Sequence, residues 1–133
     1  MQNARLKYLE MLHGTVARMA TNQISLRAWS VGIGTAVIAF AAAKDSIQKI
    51  ALLAVFPAAA FWLLDSYYLA LEWNFRALFA TARSSTEGDP TFAMDVEWTM
   101  RDIFDAARRP SVWLIHGSVL LLALLVGATA YLG

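Results

Sequence analysis

The chain has 133 residues, 59% of them hydrophobic and only 16% charged, with a net charge of +1. That length allows one domain, and that balance is too apolar for a small water-soluble fold. It lacks the strong basic excess of a nucleic-acid module, and without cysteine it holds no disulfide, thiolate zinc site or cysteine nucleophile.

Residues 1–25 carry an apolar stripe of Leu6, Leu9, Leu12, Val16 and Met19, which predicts an amphipathic helix on the cytosolic side. This charged, helical opening is unlike a secretory signal. Asn22 or Ser25 stands where an N-cap would start the next helix. A first span follows over 26–44, containing the charge-free run AWSVGIGTAVIAFAAA, with Arg27 and Lys44 at its flanks to snorkel toward headgroups. Ala28, Gly32 and Ala36 repeat every fourth residue along it, a smooth face for helix packing either within one chain or between chains. Gly32-x-Gly34 lies inside this span with no strand or basic residue beside it, so it is no nucleotide motif.

After the turn KDSIQK, a second span is expected over 47–64, with Ala54 and Ala58 as another small face and Pro57 bending it. Its helix has no reason to stop at the bilayer. Phe61, Leu64, Tyr68, Leu71, Phe75, Leu78 and Ala82 are spaced alternately by three and four, a heptad seam that carries the helix to residue 82. The seam residues Leu64, Tyr68, Leu71, Phe75 and Leu78 are regular enough to serve an oligomer. Asp65, Glu72 and Arg76 lie opposite the seam's centre, the latter two at the spacing of a helix-stabilising pair. Asp65 follows a long uncharged run and has two readings. It marks the exit from the bilayer, or it rings the mouth of a pore in an oligomer, as interfacial carboxylates often do.

Residues 84–89, SSTEGD, form a linker. Asp89-Pro90 reads as N-cap and first turn of a cytosolic helix over 90–109, with the stripe Phe92, Val96, Met100, Ile103 and Ala107. Pro110 interrupts it, and a third span occupies 111–132. Trp29, Trp62, Trp113 and Tyr131 fall near span ends, where amphipathic rings favour the interface. Nine of the eleven basic residues lie before the first span or between the second and third, which places the N-terminus and the 65–109 region in the cytoplasm. The expected fold is thus an all-α integral membrane protein with three transmembrane helices and a cytosolic helical bundle.

Chemistry-bearing motifs are sparse. Arg109-x6-His116 invites comparison with the arginine-histidine motif of HEPN-type ribonucleases, but Pro110 intervenes and His116 lies more than a turn inside a span. We read Arg109 as an interfacial anchor and His116 as a hydrogen-bonding partner of a neighbouring helix. His13 has no second histidine or cysteine pattern to make a metal site and reads as structural. No catalytic residue, metal or cofactor is expected, and no direct nucleic-acid binding.

The run LKYLEMLHGTVARMATNQISLRAWSV, a span ending AAAKDS, PAAAFWLLDSYYLALEWNFRALF, and TFAMDV before a final span together resemble a group of small bacterial inner-membrane proteins. These are accessory or effector proteins found beside antiviral systems, among them the membrane partners of type VI-B CRISPR loci and of RNA-editing deaminase systems, similar in style to SLATT effectors. The shared step is Trp62, Asp65, Tyr67, Tyr68, Leu69, Glu72, Phe75 and Arg76. The resemblance implies a homo-oligomeric inner-membrane effector, not an enzyme, that senses a signal or a soluble defence protein and permeabilises the membrane. The alternative is an adaptor that recruits a soluble partner through its cytosolic helices.

Overall fold

A computed structural model describes residues 2–43, 45–84 and 94–132. Among these there are four α-helices, α1 (Gln2–Ala42), α2 (Val55–Ser84), α3 (Met100–Ala107) and α4 (Pro110–Leu132), plus a 3-10 segment over Asp45–Ala54. No strand occurs among the described residues. Three of the helices are long and apolar enough to cross a membrane.

α1 is one uninterrupted helix of 41 residues, about 60 Å long at 1.5 Å per residue and so roughly twice the depth of a hydrocarbon core. The amphipathic helix and the first span are therefore continuous, and neither Asn22 nor Ser25 is a cap. Both side chains are exposed in mid-helix. Continuity follows from the inward face, on which Tyr8, Leu12, Thr15, Gln23, Ser30, Gly34, Ile38 and Ala41 are buried at helical spacing throughout. Apolar, polar and small residues share that face, which is why a scan for an apolar stripe sees only its first part.

The second helix begins later than its sequence suggests. Pro57 lies in the first turn of α2, where a missing N–H costs nothing, and its ring opposes α-helical continuation upstream. The preceding residues form the 3-10 segment instead. Ala51 and Ala54 within it are fully buried. Pro57 thus starts the α-helix and does not bend a span in its middle.

The cytosolic-helix expectation for 90–109 also needs correction. Asp89 and Pro90 lie outside the described residues, but 94–99 are not helical and α3 starts at Met100. Thr99 is its N-cap, and with Asp102 it forms a reciprocal capping box: the Thr99 N–H donates to Asp102 Oδ2 at 2.9 Å and the Asp102 N–H to Thr99 Oγ1 at 3.2 Å. This box satisfies two otherwise orphaned donors. Pro110 opens α4 as an N-terminal proline should.

Packing divides into three clusters. At the apolar end, Ile38, Ala54, Ala58, Val119 and Ala123 join α1, the 3-10 segment, α2 and α4. At the other end, Tyr8, Leu12, Val16 and Phe75 pack with Leu78 and Phe79, and with Met94 and Val96 of the extended segment laid across them. There the Arg5 guanidinium donates to the carbonyls of Ala82 and Arg83 at 3.0 Å each, closing the α2 C-terminus. A third cluster of Ala70, Ile103 and Ala106 seats α3 on α2.

Candidate functional site

Between the two end clusters the helices meet through polar side chains. Asp65 is fully buried. Arg27 grips both of its carboxylate oxygens, Nε to Oδ2 at 2.7 Å and Nη2 to Oδ1 at 3.2 Å, the paired geometry that makes guanidinium–carboxylate contacts strong. His116 Nε2–H donates to Asp65 Oδ2 at 2.9 Å, since an ionised carboxylate only accepts. With that tautomer His116 Nδ1 is an acceptor, and the Ser30 hydroxyl lies 2.8 Å away to donate to it.

The chain of contacts continues toward the polar end. Arg27 Nη2 donates to Gln23 Oε1 at 3.3 Å, the Gln23 amide donates to Glu72 Oε2, and Arg76 Nε donates to Glu72 Oε1 at 2.8 Å. Ser30, His116, Asp65, Arg27, Gln23, Glu72 and Arg76 thus form one continuous layer drawn from α1, α2 and α4. With a neutral imidazole it carries two cations and two anions and is electroneutral. It is dry at one end and wet at the other, for the Ser30 and His116 residues are buried while the Arg76 side chain is 60% exposed.

The positions follow from helix geometry. On α2, Ala58, Asp65 and Glu72 recur every seventh residue and are all buried, so the face turned into the bundle is the one that flanks the Phe61, Tyr68 and Phe75 edge of the heptad seam and is not opposite the seam. The seam itself is divided: Phe75 is buried, Tyr68, Leu71 and Leu78 are half-buried, and Leu64 is exposed. On α1, Gln23, Arg27 and Ser30 are one turn apart from each other and face α2 and α4.

The small-residue face of the first span turns away from the chain's own helices. Ala28, Gly32 and Ala36 are exposed, and a Cβ on Gly32 would meet nothing. Close approach is made by Gly34, where a Cβ would run into the Val119 side chain, and by Gly127, where it would run into Leu52. Ala54 and Ala58 do pack inward.

Both sequence readings of Asp65 put it at a surface, whereas the fold encloses it. His116 does bond neighbouring helices, as its place inside a span suggested. What sequence reasoning missed is that His116 joins Ser30 to Asp65 and that Arg27 is the other partner of Asp65. A signal was present, since Ser30 and His116 are polar residues inside two charge-free windows, and intramembrane polar groups ordinarily have partners. Arg109 stacks over the Trp73 ring at 5.0 Å instead of reaching His116's layer. His13 lies beside Phe79 with ring centroids 6.3 Å apart, and no cluster of potential metal ligands exists among the described residues.

Chemically the layer is closed. Ser30, His116 and Asp65 are linked in the manner of a nucleophile–base–acid set, but all three are buried, and the backbone N–H groups around Ser30 are committed to a mid-helix, leaving no oxyanion donors. Proton relay along the layer is broken at Arg27, whose guanidinium does not deprotonate. The arrangement is suited to holding three helices in one relation and to releasing them together. The chain matches no protein-family model, no curated protein and no solved structure.

Proposed function

We propose that the protein is an inner-membrane effector of the bacterial antiviral kind, held in a resting state by the polar layer and opened when that layer separates. The observation that carries this reading is the enclosure of Asp65 by Arg27 and His116. Taking such charges out of water costs several kcal/mol per ion, a cost that spans serving only to anchor a soluble partner have no need to carry. A charged layer sealed among three spans is instead a two-state element: closed, its charges cancel, and open, Asp65 and Arg27 face water or a neighbouring copy. The distribution of basic residues favours a cytoplasmic polar end, within reach of a signal, and the exposed Leu64 with the Ala28, Gly32 and Ala36 face favours assembly with further copies.

The test is a membrane-potential measurement with a voltage-sensitive dye in cells expressing the protein alone. Asp65→Asn keeps the size of the side chain and removes its charge, so it should depolarise cells in which the wild type is silent. His116→Gln should do so more weakly, because its two hydrogen bonds, to Asp65 and Ser30, are altered while the Arg27–Asp65 pair remains. A steady potential in both variants, with each at wild-type level in the membrane fraction, would sink the gating reading and favour the adaptor.

A further inference from the structure

α3 and α2 enclose an apolar crevice of about 290 Å³, lined by Ala59, Trp62, Leu63, Met100, Ile103 and Phe104 among others. Three features say what belongs in it. Ala59 and Leu63 are part of the uncharged run of the second span, so the crevice opens on the surface that the membrane reading gives to acyl chains. Met100, Phe104 and Leu63 are 71%, 57% and 60% exposed, which water would penalise and hydrocarbon would not. Beside the apolar mouth, on the same exposed flank of α3 as Phe104, stand Arg101 and Arg108, both exposed. The Arg108 guanidinium lies 4.2 Å from the centroid of the Phe104 ring. Asp105 is also exposed and, four residues after Arg101 and three before Arg108, stands on the same flank as both, so the rim carries two cations and one anion.

The floor is fixed. Trp62 Nε1–H donates to the Ala107 carbonyl at 3.2 Å, tying the C-terminal turn of α3 to α2 at the level where tryptophans collect at an interface. An eight-residue helix with an apolar inner face, an exposed phenylalanine and methionine, and arginines at its rim is the pattern of a helix lying in the headgroup boundary. We propose that this crevice retains an anionic phospholipid, one acyl chain lying between α2 and α3 and the phosphate held by Arg101 and Arg108. The inference rests on the membrane placement above and not on the gating reading.

The experiment is native mass spectrometry of the detergent-purified chain titrated with phosphatidylglycerol or phosphatidylcholine. One phosphatidylglycerol should bind at concentrations about fivefold lower than phosphatidylcholine, roughly the effect of one net positive charge, because Asp105 offsets one of the two arginines. Arg101→Gln with Arg108→Gln should remove that preference while leaving weak binding of both lipids. Leu63→Trp, which fills the crevice without touching the charges, should reduce binding of both. Equal binding of the two lipids by the wild type, or an unchanged preference in the double variant, would overturn the proposal. Carbonate extraction of membranes separates this from its premise: a chain that washes off defeats the membrane placement, whereas one that stays but shows no lipid preference defeats only the crevice.

Discussion

At the apolar end, α1, α2 and α4 meet through Ile38, Ala58, Val119 and Ala123. One layer along, the same helices meet through Ser30, Arg27, Asp65 and His116. The first contact is non-directional, and in a bilayer it has no hydrophobic drive of its own, because lipid tails are as apolar as the side chains they replace. Displacing α1 by a turn would bring a larger side chain against Val119, where Gly34 leaves no room for a Cβ. At the second contact the same shift parts Arg27 from Asp65, leaving a fully buried carboxylate with His116 as its remaining partner. Relative position of the three helices is therefore specified twice, by close steric approach at the apolar end and by charge in the polar layer.

The strongest way to break this contrast is to leave the layer half-satisfied. Asp65→Leu strands the Arg27 charge and the His116 N–H, and should destabilise the bundle by about 3–5 kcal/mol, read as a shift in reversible unfolding in mixed micelles. Arg27→Met added to Asp65→Leu should recover most of that loss, because paired removal leaves no uncompensated charge. A double variant no more stable than the single one would show that the layer is not coupled as its geometry indicates.

Substitution at the two nearby glycines sharpens the comparison from the apolar side. Gly34→Ala drives a methyl into Val119, so an overpacking cost of about 1–3 kcal/mol should outweigh the gain in helix propensity. Gly32→Ala meets nothing and should be neutral or stabilising by up to about 1 kcal/mol. Thermal unfolding of the two variants in one detergent gives the difference directly, and equal behaviour would mean that α1 and α4 do not approach at Gly34.

Smallest of all should be an effect at neither region. Thr99→Ala removes one half of the capping box that starts α3, for about 1 kcal/mol. Hydrogen exchange should quicken in the first turn of α3 while amides around Ser30 and His116 keep their protection. Loss of protection in both would show that α3 and the layer unfold as one unit.

Much was legible in the amino-acid order, because it depends on short-range chemistry. Uncharged runs defined three helices able to cross a membrane, the seam carried the second helix past residue 65 to Ala82, two residues short of its end at Ser84, and Glu72 with Arg76 had the spacing at which they are found paired. A disruption near Pro57 was legible, since its ring removes one backbone bond and crowds the carbonyl four residues back, but the 3-10 form of Asp45–Ala54 was not. The start of α3 was less so: Thr99-x-x-Asp102 is a capping signal, but Asp89-Pro90 is an equally good one by local criteria, and local chemistry does not tell that Met94 and Val96 pack on the Tyr8–Phe75 cluster in a non-helical segment.

The polar layer was not legible, for a different reason. Hydropathy registers Arg27 and Asp65 as span boundaries and Ser30 and His116 as isolated exceptions, because each is judged against its neighbours in sequence. Their meaning lies in contacts 38, 51 and 86 residues apart along the chain. Sequence by itself determined which segments are helical and apolar. Only the tertiary structure decided which face of each turns inward, since a helix bearing an apolar seam with a row of carboxylates beside it has more than one possible inward face. The choice falls to the partner helices, and here Arg27 and His116 supply the charges and hydrogen bonds that make it favourable to bury the polar one.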